Sequence, residues 1–197
     1  MGCVTLDRRV SRPDGAHSMP TMRTHTQATA WSGPARAALS TALAQLDVAE
    51  ASAKPHPMSQ ALAQVARCYR RMGEHDVAAQ CLRRACSWAG LLGAADSQLD
   101  LLCELAETML EASLAYDDDE PQHARRLRDQ TRDQCFEVSR LCGHCADPQW
   151  EVTVLLRVSD VLDRCGDHDD AIALQCRALQ LIARHAMVDA AEPDPAG

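Results

Sequence analysis

The strongest constraint on this chain is that it writes one helix–turn–helix passage twice. The segment CYRRMGEHDVAAQCLRRA, residues 68–85, returns as VLDRCGDHDDAIALQCRA, residues 161–178. With Gly73 set against Gly166, Arg71 falls on Arg164, His75 on His168, Asp76 on Asp169, Ala78 on Ala171, Arg84 on Arg177 and Ala85 on Ala178. Glu74 faces Asp167. A repeated hairpin cannot bury its apolar face alone, so a chain built this way stacks one unit on the next. The repeated alanines have a packing reason. Helix axes approach to about 8–10 Å, and a small side chain at the crossing permits the near end of that range. The small positions are Ala66, Ala78 and Ala85 in one copy and Ser159, Ala171 and Ala178 in the other. Large apolar residues surround them: Leu62, Val65, Tyr69 and Leu82, then Leu155, Val158, Leu162 and Leu174, the last one residue out of register.

Composition agrees with helices. Hydrophobic residues make up 46% of the 197, but aromatics only 3%, so the core is aliphatic. Sheets favour β-branched and aromatic residues instead. A net charge of −8 argues against nucleic acid as a partner. No apolar run is long enough for a membrane span, and none near the N-terminus resembles a secretion signal. The opening Met-Gly-Cys lacks the Ser or Thr of an acylation start, having Leu6 in that place. The ten cysteines fall mostly inside helical segments among alanines, which suits reduced thiols acting as small hydrophobes. A cytoplasmic setting is therefore expected. Lys54 is the only lysine among 20 basic residues, which is read as GC-rich bacterial coding.

Along the chain, residues 1–31 show no period and are expected to be disordered, with Met19 and Met22 as candidate alternative starts. Residues 32–188 are expected to form one helical domain. A first helix, 34–51, carries Leu39, Ala42, Leu46 and Ala49 on one face. Three hairpins follow, at 58–90, 97–142 and 147–186. Gly73 is a natural left-handed stop. Ser97 and Asp100 have capping-box spacing. Pro121 suits a first turn, Asp147 an N-cap before Pro148, and Asp167 the N-cap of the last helix. Residues 189–197 read as a loose acidic tail. The predicted architecture is all-α, about seven antiparallel helices with no strand.

The pattern of a bulky residue, a small one, an aromatic, a turn glycine, an alanine, a bulky residue and an alanine resembles the tetratricopeptide repeat. Residues 59–90 match well. Residues 152–183 match with Leu162 in place of the aromatic and Gln175 at the second bulky site. A middle copy begins near Leu99, but its turn has lost the glycine and gained YDDDEP, and its second helix, 121–142, fits poorly. The 40-residue spacing, with GLLGAAD and CGHCAD between repeats, is similar to the longer-helix subclass in bacterial regulators. Helix 34–51 would then be a cap or a decayed half-repeat. The resemblance implies a tetratricopeptide-like α-solenoid that binds another protein or a peptide in a groove lined by the first helix of each pair.

By that resemblance the groove-facing residues are Gln60, Ala63, Arg67, Arg70 and Arg71, then Asp100, Cys103, Glu107 and Glu111, then Thr153, Leu156, Asp160, Asp163 and Arg164. Those expected to contact a ligand are Arg67, Arg70, Arg71, Glu107, Glu111, Asp160, Asp163 and Arg164, giving a floor positive at one end and acidic at the other. The carboxylate clamp of chaperone adaptors needs Lys and Asn where this chain has Ala63 and Arg67, so a chaperone C-terminus is not the expected ligand. A type III secretion-type chaperone or a peptide-sensing regulator are alternatives of the same architecture.

A catalytic reading rests on CGHC, residues 142–145, which resembles a thiol–disulfide centre or part of a zinc site. The redox chemistry needs its first cysteine at a helix N-terminus, where the dipole favours thiolate. Cys142 stands at a predicted helix C-terminus instead. Zinc wants four N or S ligands. Beyond Cys142, His144 and Cys145 the nearest candidates, Cys165 and His168, lie at the far end of the next helix, about 30 Å away. No catalytic residue, metal or cofactor is expected. His75 and His168 are read as solvated turn histidines.

Overall fold

The computed structural model describes residues 33–93, 95–145 and 147–189. The expected disordered ends, 1–31 and all but the first residue of 189–197, lie outside the described residues. Within them are seven helices and no strand: α1 (Gly33–Ser52), α2 (Pro55–Arg71), α3 (His75–Gly90), α4 (Ala95–Ala115), α5 (Pro121–Cys142), α6 (Pro148–Cys165) and α7 (His168–Asp189). Each packs on the next, and α4 also meets α6. The result is the all-α helical solenoid that the repeat predicts.

Both copies close their turn in the same way. Gly73 and Gly166 have φ of 79° and 94°. Their N–H groups reach back to Arg70 and Asp163, while Glu74 and Asp167 donate to the carbonyls of Tyr69 and Leu162. This paired pattern satisfies helix-end carbonyls that would otherwise be orphaned, and its left-handed residue is least strained as glycine. The six predicted crossing residues are all buried: Ala78, Ala85 and Ala178 at 0%, Ala66 and Ala171 at 1%, Ser159 at 2%. At the α2–α3 crossing the Ser59 hydroxyl donates to the Ala85 carbonyl across the two backbones, 3.1 Å away.

The core is two clusters sharing one wall. The first gathers α1, α2 and α3 around Leu101, Leu105 and Met109 of α4. The second gathers α5, α6 and α7 around Leu99, Cys103, Ala106 and Leu110 of the same helix. Helix α4 is therefore apolar on two sides. Its one polar stripe is Asp100, Glu104, Glu107 and Glu111, spaced i, i+4, i+7 and i+11.

Several element ends differ from expectation for local reasons. Helix α2 begins three residues earlier than residue 58, because Pro55 and Pro57 sit in its first turn, where no N–H is required. Helix α4 starts at Ala95, after Gly93 turns the chain with φ 64°, so Ser97 lies within the first turn and makes no capping box. Asp147 does cap α6, accepting from the Gln149 N–H at 2.9 Å. Asp167 precedes α7 as expected, but its carboxylate accepts a bond from Arg132 of α5 at 3.0 Å. Helix α7 runs on to Asp189 rather than ending at 186.

Gly143 follows α5 in ordinary right-handed conformation, φ −65°, so it is not there to reverse the chain. A Cβ on it would lie 2.8 Å from the Arg177 guanidinium. That guanidinium donates to the Ser139 carbonyl at 3.0 Å and to Glu151 at 2.5 Å. Glycine thus leaves room for an arginine that both satisfies the end of α5 and partners a nearly buried carboxylate.

Candidate functional site

The inner face is the one shared by α2, α4 and α6, the first helices of the three pairs. The acidic stripe of α4 runs down its middle and is held from both sides. From α2, Arg67 grips Glu104 with bonds of 3.1, 3.2 and 2.6 Å. One turn on, Arg70 forks onto Glu111 at 2.7 and 2.6 Å and touches Glu107 at 3.3 Å. From α6, Arg157 reaches Asp100 at 2.6 Å and Glu107 at 3.1 and 2.9 Å. Glu107 is therefore shared by two guanidiniums from different repeats. Forked arginine–carboxylate pairs fix geometry as well as charge.

The charges respond to this arrangement. Burial raises the Glu111 carboxyl, but the hydrogen bond from Arg70 and the nearby charges of Arg70, His75 and Arg164 together hold it below the usual carboxylate range. The hydrogen bond to Glu111 raises Arg70, against partial burial and with help from Glu107. Burial lowers Arg157, and its bonds to Asp100 and Glu107 more than reverse this, so its net shift is upward.

The expected floor, positive at one end and acidic at the other, is thus deployed as interleaved pairs. Arg67, Arg70, Glu107 and Glu111 are all present on the inner face, tied to one another. Arg71 is exposed at the rim and lines a depression with Arg67, Arg70, His75, Glu104 and Glu111. Asp160 and Arg164 lie 3.8 Å apart on exposed turns of α6. Asp163 bonds to His168 at 2.6 Å. Ala63 is nearly buried but lines the cleft described below, whereas Cys103 is buried in the core instead of lining the groove. His168 is solvated, as a turn histidine should be, but His75 is half-buried with Nδ1 3.3 Å from Glu111.

Arg157 and Glu104 escaped the sequence reading. Glu104 was signalled by the regular acidic stripe. Nothing local marks Arg157, whose partners lie on a helix separated from it by the whole of α5.

Beyond the arginine ladder, the inner face opens into a cleft of about 760 Å3 between the C-terminal half of α1, the first turns of α2 and the start of α4. Gln60, Gln64, Arg67 and Asp100 line it, with Lys54 and His56 at the mouth and Val48 and Leu101 among its apolar walls. Gln60 and Gln64, one turn apart, are exposed.

The CGHC segment is not built for chemistry. Cys142 is fully buried, donates to the Ser139 carbonyl, and burial pushes its thiol up to about 11. A thiol so raised is a poor nucleophile at neutral pH. Cys103 and Cys86 are pushed by burial to about 12. Among the described residues no group of three or more His, Cys, Asp or Glu could hold a metal ion. Cys176 departs from the expected pattern of buried thiols, since it is exposed on α7. Among the cysteines of the described residues, peptide-resolved alkylation of the folded protein should modify Cys176 first and leave Cys142 no more reactive than Cys68. Rapid labelling of Cys142 would contradict this placement.

Hairpins with alanine crossings, left-handed glycine turns and a shared inner face define a helical-repeat protein. Residues 59–90, which take in most of α2 and all of α3, match the family model described as Tetratricopeptide repeat, and this match supports a tetratricopeptide assignment. Tetratricopeptide proteins are in general non-catalytic scaffolds that bind other proteins. No curated protein matches the chain. Similar solved structures include BtubC (BKLC) from P. vanneervenii, 17% identical, covering 84% of this chain and 78% of that one, with a TM-score of 0.35. Another is the DHF58 filament, 19% identical, covering 76% and 84%, with a TM-score of 0.42. Among the described residues no helix is long and apolar enough to cross a membrane.

Proposed function

We propose that the chain is a non-catalytic adaptor whose inner face takes a peptide or helix of another protein, seated in the cleft between α1, α2 and α4. The observation that carries this reading is the cleft's lining: exposed Gln60 and Gln64 one turn apart, beside Arg67 and Asp100, over apolar Val48 and Leu101. Amide side chains both donate and accept, so a pair spaced along a helix can bond successive peptide groups of a ligand backbone. The neighbouring arginines and carboxylates already satisfy one another. They hold the three first helices in fixed relation, so the groove is formed before a ligand arrives and little ordering is needed on binding. Arg71, exposed and making no ion pair among the described residues, adds a positive charge at the rim. A ligand with an acidic residue toward that end and an apolar anchor toward α1 fits this lining.

The test is selection of displayed peptides on the purified protein, followed by hydrogen-exchange mapping of the enriched sequences. Protection on α2 and α4, abolished by Gln64→Trp and weakened by Arg71→Glu, is expected. Both substitutions spare the ladder, so loss of binding would not reflect a disturbed frame. Peptides that protect only α3, α5 or α7, or that bind the Gln64→Trp variant equally, would defeat the proposal.

A further inference from the structure

The repeat contains a template for the cleft. In the register that sets Gly73 on Gly166, each residue corresponds to the one 93 places later (166 − 73). Pro55, which opens α2, then falls on Pro148, which opens α6. The register holds through the preceding helix as well. Ala42 and Ala49 of α1 fall on Cys135 and Cys142 of α5, and all four are buried. The pair α1–α2 is thus the counterpart of α5–α6, but the two differ in their cover. Both α5 and α6 pack closely against α4, whereas α1 packs closely on α2 alone among the described helices.

The cleft lies where that cover is missing. Gln45, Val48 and Ser52 of α1 and Pro57, Ala61 and Gln64 of α2 all line it. Their counterparts are Val138, Leu141, Cys145, Trp150, Val154 and Arg157. The first five of these belong to the cluster that α4 completes with Leu99, Cys103, Ala106 and Leu110. The sixth, Arg157, bonds to Asp100 and Glu107 of α4. The surface that seats a helix in one copy therefore faces open space in the other. Each cleft residue is smaller or more polar than its counterpart, which lowers the cost of leaving it in water between visits of a ligand. Val48, the most apolar of the six, is 72% exposed.

We infer that the ligand of the cleft is an amphipathic α-helix of a partner protein, laid over α1 and α2 as α4 lies over α5 and α6. This rests on the reading of the cleft as the ligand site and adds the form of the ligand. The docked helix runs parallel to α2, because α4 runs parallel to α6: Asp96 lies beside Cys145 before α6, Glu107 beside Arg157 in its middle and Glu111 beside Arg164 at its end. Its apolar residues recur at i, i+4, i+7 and i+11, the spacing of Leu99, Cys103, Ala106 and Leu110. Opposite Gln64, which bonds through an amide and not a charge, it carries an uncharged polar residue where α4 has Asp100 and Glu107. Its first turn is acidic, since that turn falls beside exposed Lys54.

The probe is a labelled synthetic peptide of residues 95–115 carrying Asp100→Gln, Glu104→Gln, Glu107→Gln and Glu111→Gln, titrated into the full chain by fluorescence anisotropy. These changes remove the carboxylates that Arg67, Arg70 and Arg157 hold, so the peptide has no advantage at the seat of α4 itself. Saturable binding is expected. Val48→Asp in the protein should weaken it about tenfold or more, as should Ala106→Pro in the peptide, which breaks the helix. A Gln45→Cys thiol in the full chain should react readily with a maleimide, and more slowly under saturating peptide. Four results would each overturn the inference: no saturable binding, indifference to Val48→Asp, equal binding of the proline peptide, or a Gln45→Cys thiol already shielded in the free chain by another part of it. If this probe fails while selected peptides still bind in a Gln64-dependent way, the cleft stands as the ligand site and only the helical ligand falls. If both fail, both readings fall.

Discussion

Replacing Ala171 with arginine should lower the melting temperature by about 10 °C, the largest effect of any single change considered for this protein. Ala171 lies at a point where α7 crosses α6, 1% exposed, among Leu155, Val158 and Leu162. Three terms add at that site. The extra volume has no cavity to enter, and overpacking of a close crossing costs about 1–3 kcal/mol. The guanidinium would be carried into an apolar cluster without a partner, which costs a comparable amount even if the side chain bends partly toward water. The helices can relieve the clash only by moving apart, which loosens the contacts around it. A total above about 3 kcal/mol follows, and for a chain of this size each kcal/mol lowers the melting temperature by about 2–4 °C. The matching change at Ala78, 0% exposed in the first copy, should behave alike. Thermal unfolding by circular dichroism reads both. An unchanged melting curve for Ala171→Arg would mean that the alanine does not face α6.

The two copies also explain how much of this architecture was visible in the residues. Turn glycines and crossing alanines are readable because each answers a local demand: a positive φ in one case, a short interaxial distance in the other. Both recur wherever the hairpin recurs. The charges are harder, because identical letters acquire different work from their surroundings. Arg84 and Arg177 align, yet Arg84 is 60% exposed at the side chain and only 3.9 Å from Glu50, whereas Arg177 partners Glu151 at 2.5 Å. The difference lies at another position of the repeat, where the first copy has Met58 and the second Glu151. Gly143 shows the same limit. It was readable as the end of α5, but its actual constraint is the approach of Arg177, which is 34 residues further on in sequence (177 − 143) and near only in the folded stack.

The ladder sets the second large prediction, because Glu107 of α4 is shared by arginines of both α2 and α6. It lies 3.3 Å from Arg70 of α2 and 2.9 Å from Arg157 of α6, and its side chain is 24% exposed. Glu107→Lys would remove the shared anion and place a third cation between two guanidiniums that are themselves only 30% and 28% exposed. Breaking a buried pair by removing one partner costs about 3–5 kcal/mol, and the remaining exposure here lets water screen part of that, leaving about 2–3 kcal/mol. Glu107→Gln keeps the shape and one acceptor for the arginines, so it should cost about 1 kcal/mol. Added salt should narrow the gap between native and Glu107→Lys, since it screens the new repulsion as well as the old attraction.

The ladder also has a pH signature, carried by Glu111. Its carboxyl is held below the ordinary range in the folded state, so the folded protein binds this proton more weakly than the unfolded chain. Its contribution is therefore complete above the unfolded value of about 4 and is lost as pH falls through the lower, folded value. Denaturant unfolding of native protein and Glu111→Gln across pH should show a constant difference at neutral pH that shrinks only below about pH 4. A difference that vanished already above pH 5, or that grew on acidification, would mean that Arg70 does not hold Glu111 in its charged form. Asp160→Asn should change stability little at neutral pH, because Asp160 is 70% exposed at its side chain and its contact with Arg164 spans 3.8 Å. The contrast separates carboxylates that lock the inner helices together from those that merely decorate the rim, and it is the locked set that ties α2, α4 and α6 to one another.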